Sequence, residues 1–164
     1  MAVAEIIGAA IGVLMLVVVA YILVGGTLTA AETVANAQKD LTAMNEVRLH
    51  TDLTLNKSEI SVKGSGLNFS VTNTGNEVIS DFNHVDVYTY DNVNPGYEHY
   101  IYDDQDTRAA GTWAILRIDN DYMHPNQIDP GERAWIMAVF SGSTPVWVQI
   151  STSNGVNAQT TFSL

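Results

Sequence analysis

Residues 6–24 read IIGAAIGVLMLVVVAYILV, a run of nineteen residues without a charged side chain. At about 1.5 Å per residue, an α-helix of this length spans roughly 28 Å, close to the thickness of a hydrocarbon core. A lone segment in lipid must satisfy its own backbone hydrogen bonds, so it must be helical. The run therefore predicts one transmembrane helix that anchors the rest of the chain.

Two other interpretations of this run are weaker. A cleaved signal peptide normally begins with positive charge and has a shorter apolar stretch, whereas no Lys or Arg precedes residue 6. A core helix of a soluble protein has a polar face, whereas this run is apolar all round. The membrane orientation is poorly encoded, because the nearest basic residue is Lys39, well past the apolar run.

Small residues mark two places along this helix. Gly8 and Gly12 form a G-x-x-x-G pattern, which permits close helix–helix packing or simply reflects the frequency of Gly in membrane helices. Gly25 and Gly26 form either a hinge or a flexible point within a continuing helix. Residues 27–48 are again helical in character. An apolar stripe near a/d spacing suits packing on the chain's own domain or on a neighbouring helix: Val34, Ala37, Leu41, Met44 and Arg48.

From about residue 49 the pattern changes to alternation with a period of two. Nine short runs are predicted strands: 51–56, 59–63, 67–72, 84–90, 99–102, 113–118, 134–140, 146–152 and 158–164. Turn sequences such as Asn73-Thr74-Gly75-Asn76 and Asp129-Pro130-Gly131 separate them. We predict an α+β chain, with a long transmembrane helix and its extension in residues 1–48. An antiparallel immunoglobulin-like β-sandwich outside the cytoplasm occupies residues 49–164.

The alternation also predicts which side chains face the core of the sandwich. They are Ile60, Val62, Leu67, Phe69, Val71, Val85, Val87, Ile115, Ile118, Trp135, Met137, Val139, Val148 and Ile150.

Charge and composition exclude several classes of function. The formal net charge is −11, and basic residues are not clustered, so the chain is not a nucleic-acid binder. The absence of Cys excludes disulfides and thiolate sites. The four histidines do not lie at metal-ligand spacing or beside a nucleophile motif, so we expect neither enzyme activity nor a cofactor.

Carboxylates are dense in two segments after residue 102. Hard cations such as Ca²⁺ require several such oxygens, but the glycine and terminal glutamate of an EF-hand are missing. The segments are either weak Ca²⁺ candidates or solvated loops of an acidic protein. The candidate ligands are Asp103, Asp104, Asp106, Asp119 and Asp121.

Two further groups of residues are candidates for modification or binding. Asn56 and Asn68 begin N-x-S/T sequons, which accept glycans only outside the cytoplasm and also occur by chance. Tyrosines predicted to be exposed form either a partner interface or an ordinary solvent-facing edge. The interface candidates are Tyr88, Tyr90, Tyr100 and Tyr102, with Tyr97 and Tyr122 as further exposed rings.

The whole layout resembles the small accessory proteins of the archaellum, the archaeal flagellum, which form the F/G family of the type IV pilin-like superfamily. The resemblance is greater to the F-type branch than to the G-type. It is based on AEIIGAAIGVLMLVVVAYILVGG at 4–26, FSVTNTGN at 69–76, DFNHVDVY at 81–88, and the block 113–132. These motifs are soft, and none of them is catalytic in the family.

The resemblance implies a structural role in the motility machinery. Such proteins hold the stator in the cell envelope by binding surface-layer protein, contact other archaellum subunits and self-associate. Their β domain lies in the pseudoperiplasm, between the membrane and the surface layer. The alternatives are a filament-forming archaellin or pilin-like subunit in an extracellular filament, and a membrane-tethered sandwich that binds a ligand or Ca²⁺.

The N-terminus bears on the choice between anchor and filament. Glu5 is either a solvated carboxylate at a helix start or, by the resemblance, the pilin glutamate that pairs with a neighbouring subunit's terminal amine. No basic segment precedes the apolar run as a class III signal peptide would. A chain that starts at Met1 is expected to be an anchored accessory protein, whereas a chain whose leader has been removed is expected to be a filament subunit.

Overall fold

The N-terminal helix is longer than the apolar run that predicts it. In a computed structural model that describes residues 2–163, α1 extends without interruption over Ala2–His50. Gly25 and Gly26 lie inside it, and the hydroxyls of Thr27 and Thr29 donate to the carbonyls of Val24 and Gly25. The two glycines therefore lie within a continuing helix and do not form a hinge. The helix is long and apolar enough to cross a bilayer.

The chain forms two units, which meet in the sequence between Met44 and Asn45. The second unit contains the last turn of α1 and nine strands, from Leu53 to Thr161, which we call the β domain. The strands are β1 (Leu53–Leu55), β2 (Ser61–Lys63), β3 (Gly66–Asn73), β4 (Asp86–Asp91), β5 (Gly96–Tyr102), β6 (Thr112–Asp119), β7 (Arg133–Val139), β8 (Trp147–Ser151) and β9 (Asn157–Thr161). Short 3₁₀ helices lie at Lys57–Glu59 and Phe82–His84.

The strands follow the order β1-β3-β7-β6-β5-β4-β8-β9, with β2 also paired to β3. Every pair is antiparallel except β5 and β6, which run parallel at two positions, Ile101 opposite Thr112 and Tyr102 opposite Trp113. The α+β class is confirmed, but the expected purely antiparallel pairing is corrected at this point. The short parallel contact joins two antiparallel halves into a nearly closed sheet.

The core lies between these halves, and most of the predicted inward residues are in it. Leu67, Phe69, Val71, Val87 and Val148 are fully buried. Ile115 and Ile118 both pack on the core although they are three residues apart, because a β-bulge shifts the register between Ile115 and Arg117. The bulge restores the inward direction that simple alternation would lose.

Strand β7 faces the opposite way from the prediction. Ala134, Ile136 and Ala138 belong to the main core cluster, whereas Trp135, Met137 and Val139 were expected there. Met137 and Val139 are buried on the other face of the strand, and Trp135 is partly exposed. A one-residue shift in the period-two pattern exchanges the two faces of a strand. The small alanines fit because bulky residues lie opposite: Ala138 pairs with Leu67 on one side and with Trp113 on the other.

Trp135 is therefore on the outer surface of β7 and only partly buried. Its indole N–H donates to Asp119 at 2.8 Å, and the Arg117 guanidinium carbon lies 4.7 Å from its ring centre. These polar contacts account for the outward position of a side chain that a hydrophobicity pattern assigns to the core.

The turn after β3 closes on the end of α1. The carbonyl of His50 accepts hydrogen bonds from the backbone N–H groups of Asn76 at 2.7 Å and Glu77 at 3.2 Å. The N–H groups of Thr74 and Gly75 donate to the carbonyl of Asp52 at 3.0 and 3.1 Å. This turn supplies donors to a helix carbonyl that would otherwise lack an intrahelical partner.

Gly75 is required by the close approach of two backbones at this turn. A Cβ at this position would lie 2.4 Å from the Asp52 nitrogen and 2.4 Å from the His50 oxygen, and backbone atoms cannot rotate away. We expect Gly75→Ala to lower the free energy of unfolding by about 1–3 kcal/mol, the usual effect of overpacking. Urea unfolding of the full chain in detergent, followed by tryptophan fluorescence, measures this.

The matched control is Gly142→Ala, because a Cβ there has nothing within 4 Å among the described atoms. Equal unfolding midpoints for the two variants would contradict the assigned role of Gly75.

Candidate interaction surfaces

The first candidate surface is a narrow strip near the start of α1. Glu5, Gly8 and Gly12 are spaced by three and four residues, so they share one face of the helix. All three are exposed, and a Cβ on either glycine would meet nothing within 4 Å in the described part of the chain. The strip is thus exposed along this face of the described helix.

The apolar stripe further along α1 is exposed as well. Val34 is 56% accessible, Leu41 59% and Met44 69%, values that are high for large apolar side chains. These positions continue the apolar character of the helix beyond its first half.

The second candidate surface is the outer side of β4, β5 and β8. Tyr88 lies opposite His99 with ring centres 4.8 Å apart, and Tyr90 lies opposite Tyr97 at 5.0 Å. Trp147 meets Tyr97 edge to face at 5.8 Å. Aromatic pairs at these distances stabilise each other.

Ile101 extends this surface along β5, two residues beyond His99 on the same face. It is 68% exposed, and Tyr97 at the other end of the strand is 74% exposed. We name the set the aromatic face: Tyr88, Tyr90, Tyr97, His99, Ile101 and Trp147.

Two of the four tyrosines predicted at an interface lie elsewhere. Tyr100 was expected to be exposed but is fully buried, and its hydroxyl contacts Thr89 at 2.8 Å and donates to Glu98 at 3.0 Å. Burial raises the pKa of Tyr100 well above its usual range. The expectation that Tyr100 is exposed was wrong. Alternate residues of β5 point to opposite faces of the sheet, so Tyr100 points inward and His99 points outward.

Tyr102 is partly buried beside the core. Its ring centre lies 5.7 Å from that of Phe82 and 4.8 Å from that of Trp113. Burial raises its pKa, and the charges of Asp104 and Asp103 add to the effect. Of the four predicted residues, only Tyr88 and Tyr90 belong to the aromatic face.

Sequence reasoning missed His99, Ile101 and Trp147 as members of this face. The sequence does indicate that His99 and Ile101 share one face, because they alternate with Tyr100 along one strand. Their position opposite Tyr88 and Tyr90 requires the register of β4 with β5 and β8, which a single sequence does not give.

The acidic candidates make local bonds. Asp103 accepts hydrogen bonds from the backbone N–H groups of Gln105 and Thr107 and from the Thr107 hydroxyl. Asp119 binds Trp135 and Arg117. Of the remaining candidates, Asp106 lies 3.4 Å from Arg108, Asp121 accepts from the Asn126 N–H, and Asp104 is exposed. Within residues 2–163 the structure assembles no group of three His, Asp or Glu side chains that could hold a metal ion.

Three histidines each lie beside one aspartate, in three different segments. His84 contacts Asp81 at 2.7 Å in a turn, and His99 contacts Asp86 at 2.9 Å across β4 and β5. His124 contacts the buried Asp129 at 2.7 Å before β7. Asp129 also accepts from the His124 backbone N–H, so this pair fixes the loop.

The two sequon asparagines differ in their surroundings. Asn56 caps the 3₁₀ helix at Lys57–Glu59 by accepting from the Ser58 N–H at 3.2 Å and hydroxyl at 2.8 Å. Asn68 is partly buried within β3, opposite Ser61 and Met137. Glycosylation at either position stays a prediction.

Comparison with known proteins relates the whole chain to one family. The model of the archaeal-type flagellin family matches residues 4–162. Among solved structures, the archaellum periplasmic stator protein FlaG from Sulfolobus acidocaldarius is 20% identical with a TM-score of 0.51, over 68% of this chain and 99% of that chain. The archaellum periplasmic stator protein complex FlaF and FlaG from the same organism gives 20% identity and a TM-score of 0.48, over 67% and 87%. No curated protein matches the chain significantly.

The likeness to FlaG supports the fold, a β domain of the same kind. The family match includes both the helix and the strands, and it confirms the resemblance to archaellum proteins drawn from the sequence.

The bonds at Asp103 predict a pH dependence. Chiefly the hydroxyl of Thr107, with two backbone N–H groups, holds the pKa of Asp103 below its usual value. Its stabilising effect is therefore present above about pH 4 and is lost as pH falls through the lowered pKa. We expect the melting temperature of Asp103→Asn to lie below that of the wild type at pH 7, and this difference to shrink as pH falls below about 4.

Thermal unfolding followed by circular dichroism between pH 3 and 7 measures this difference. The exposed neighbour Asp104, outside these hydrogen bonds, provides the control variant Asp104→Asn. A difference in melting temperature between the wild type and Asp103→Asn that stays constant with pH would refute the role of the carboxylate.

Proposed function

Because the chain belongs to the archaeal-type flagellin family, we propose that it is a structural subunit of the archaellum, held in the membrane by α1. The observation that carries this proposal is the extent of the family match, residues 4–162, which takes in the helix and the β domain together. The solved neighbour named as a periplasmic stator protein has a similar fold and suggests a stator role.

The helix supports the membrane part of the proposal. The uncharged residues 6–24 would span the hydrocarbon core once, and the β domain would then lie outside the cytoplasm. A strongly acidic chain, with 18 Asp and Glu against 7 Lys and Arg, is suited to that location because it does not adhere to anionic headgroups.

The aromatic face supports the second part, that the subunit anchors the stator by binding surface-layer protein. Tyr, Trp and aliphatic side chains that are exposed or partly exposed on one sheet face are typical of protein–protein interfaces. Tyr97 and Ile101 present the largest exposed apolar surfaces of this face. Other archaellum subunits are proposed as further partners through the helix.

Binding of the full chain, in detergent, to surface-layer protein isolated from the same cells tests this role. We expect Ile101→Asp and Tyr88→Ala each to weaken binding about tenfold or more, because central interface residues contribute at least 1.4 kcal/mol. Biolayer interferometry measures the dissociation constants.

Tyr122→Ala is the matched control, since this tyrosine is 83% exposed in a loop outside the aromatic face. No binding of the wild type at about 100 μM would refute the anchoring role. Binding that is lost in Tyr122→Ala and retained in Ile101→Asp would show that the aromatic face is not the docking site.

A filament-forming subunit is the second candidate, favoured by the flagellin family match and by the free strip of Glu5, Gly8 and Gly12. In this case the small residues would let helices of neighbouring copies pack closely. Self-association through this strip would also serve an oligomeric stator.

Self-association of the full chain in detergent tests the strip. Gly8→Ile and Gly12→Ile are expected to weaken it about tenfold, because a bulky side chain separates the helix backbones. Sedimentation equilibrium measures the effect. Ala10→Ile, about 200° away around the helix from Gly8, is the control, and equal weakening by all three variants would rule out a specific face.

A further inference from the structure

The two sequons of the β domain, at Asn56 and Asn68, differ in what they expose. A transferase that modifies an N-x-S/T sequon has to reach both the asparagine and the hydroxyl residue two positions later, so used sequons lie in surface loops. The sequence alone ranks the two sites equally. The surroundings of their serines, Ser58 and Ser70, separate them.

The Asn68 sequon is closed to an enzyme in the folded chain. Its second and third residues, Phe69 and Ser70, are both 0% exposed. The Ser70 hydroxyl donates to Glu59, which also accepts from Arg133 at 2.9 Å. All three residues of the sequon belong to β3 and are paired there with β7. An enzyme could read this sequon only if the strand left the sheet.

The Asn56 sequon lies on the surface, in the segment between β1 and β2. Its second and third residues, Lys57 and Ser58, are both exposed and begin the 3₁₀ helix Lys57–Glu59. Strands β1 and β2 are three residues long and form one edge of the sheet. An enzyme can therefore approach this segment without disturbing the pairing of the strands.

The side-chain amide of Asn56 is bonded through its oxygen only. Its Oδ1 accepts from the Ser58 N–H at 3.2 Å and from the Ser58 hydroxyl at 2.8 Å. Within residues 2–163, no group bonds its Nδ2 and no atoms enclose it. The hydroxyl that defines the sequon thus lies beside the amide, while the nitrogen that would receive a glycan stays open to solvent.

We propose that Asn56, and not Asn68, carries an N-linked glycan. The Nδ2 of Asn56 attacks the anomeric carbon of a lipid-phosphate-linked oligosaccharide that a membrane glycosyltransferase holds. The C–N bond forms as the C–O bond to the phosphate breaks. The lipid phosphate leaves with the electron pair, and the amide nitrogen gives one proton to a base of the transferase.

This inference rests on the part of the proposed function that places the β domain outside the cytoplasm, because the modification takes place only there. The glycan would also protect the sheet. Edge strands expose unpaired backbone groups to other chains, and proteins protect such edges by covering them. A bulky, hydrated glycan between β1 and β2 would hinder strand addition at this edge. The aromatic face belongs to other strands, β4, β5 and β8, so the glycan is attached away from it.

Mass spectrometry of the full chain, expressed in an archaeal host and extracted from its membranes, tests the proposal. Trypsin cuts after Lys63, so Asn56 and Asn68 fall in different peptides. We expect a glycan mass on the Asn56 peptide and none on the Asn68 peptide. Asn56→Gln and Ser58→Ala are expected to abolish the modification. The matched variant Ser58→Thr keeps the sequon hydroxyl and is expected to keep the glycan, and Asn68→Gln is expected to change nothing.

The location of the β domain is tested separately. The chain has no cysteine, so Tyr122→Cys introduces a single thiol at a residue that is 83% exposed. A membrane-impermeant maleimide added to whole cells labels this thiol only if the β domain lies outside the cytoplasm.

Labelling of the thiol together with an unmodified Asn56 would overturn the glycan proposal and leave the proposed location standing. Absence of labelling would overturn both. A glycan on Asn68 would show that the burial of Ser70 does not select between the sequons, and it would overturn the proposal as well.

Discussion

The β domain depends on the buried amide of Asn73, which joins two turns distant in sequence. Its Nδ2 donates to the carbonyls of Glu77 at 2.7 Å and Ile128 at 2.9 Å, and its Oδ1 accepts from the Gly75 N–H at 3.1 Å. Its backbone N–H donates to Glu132, and its carbonyl accepts from Gly131. Because the residue is fully buried, each bond lost would leave a polar group unsatisfied, at about 1–3 kcal/mol.

The hydrogen bonds of Asn73 explain why two turn sequences of low specificity, at residues 73–76 and 129–132, occur in the same domain. The backbone N–H groups of Asn76 and Glu77, at the end of the turn that begins at Asn73, donate to the carbonyl of His50. This turn therefore fixes where the chain leaves α1. The turn at residues 129–132 starts β7, where the buried Glu132 accepts from the Asp129 N–H at 3.0 Å. Through Asn73 the start of the domain and its central strand are set by the same set of hydrogen bonds.

The period-two pattern predicts strands well but not their faces or their partners. Every predicted strand is present, although residue 164 of the last one lies outside the described residues. On β7 both faces are apolar, so hydrophobicity cannot tell Ala134 and Ile136 from Trp135 and Met137. The parallel contact of β5 with β6 involves only two residue pairs and depends on how the two antiparallel halves close, which is a tertiary constraint.

The candidate surfaces also differ in whether local sequence pattern or tertiary structure determines them. The strip of Glu5, Gly8 and Gly12 is set by helical spacing alone and is therefore predictable. The aromatic face needs the register of three strands, so it does not follow from local pattern. Helix strip and aromatic face belong to different units of the chain. Substitutions on one surface therefore leave the residues of the other unchanged, so binding through the helix and binding through the sheet can be measured separately.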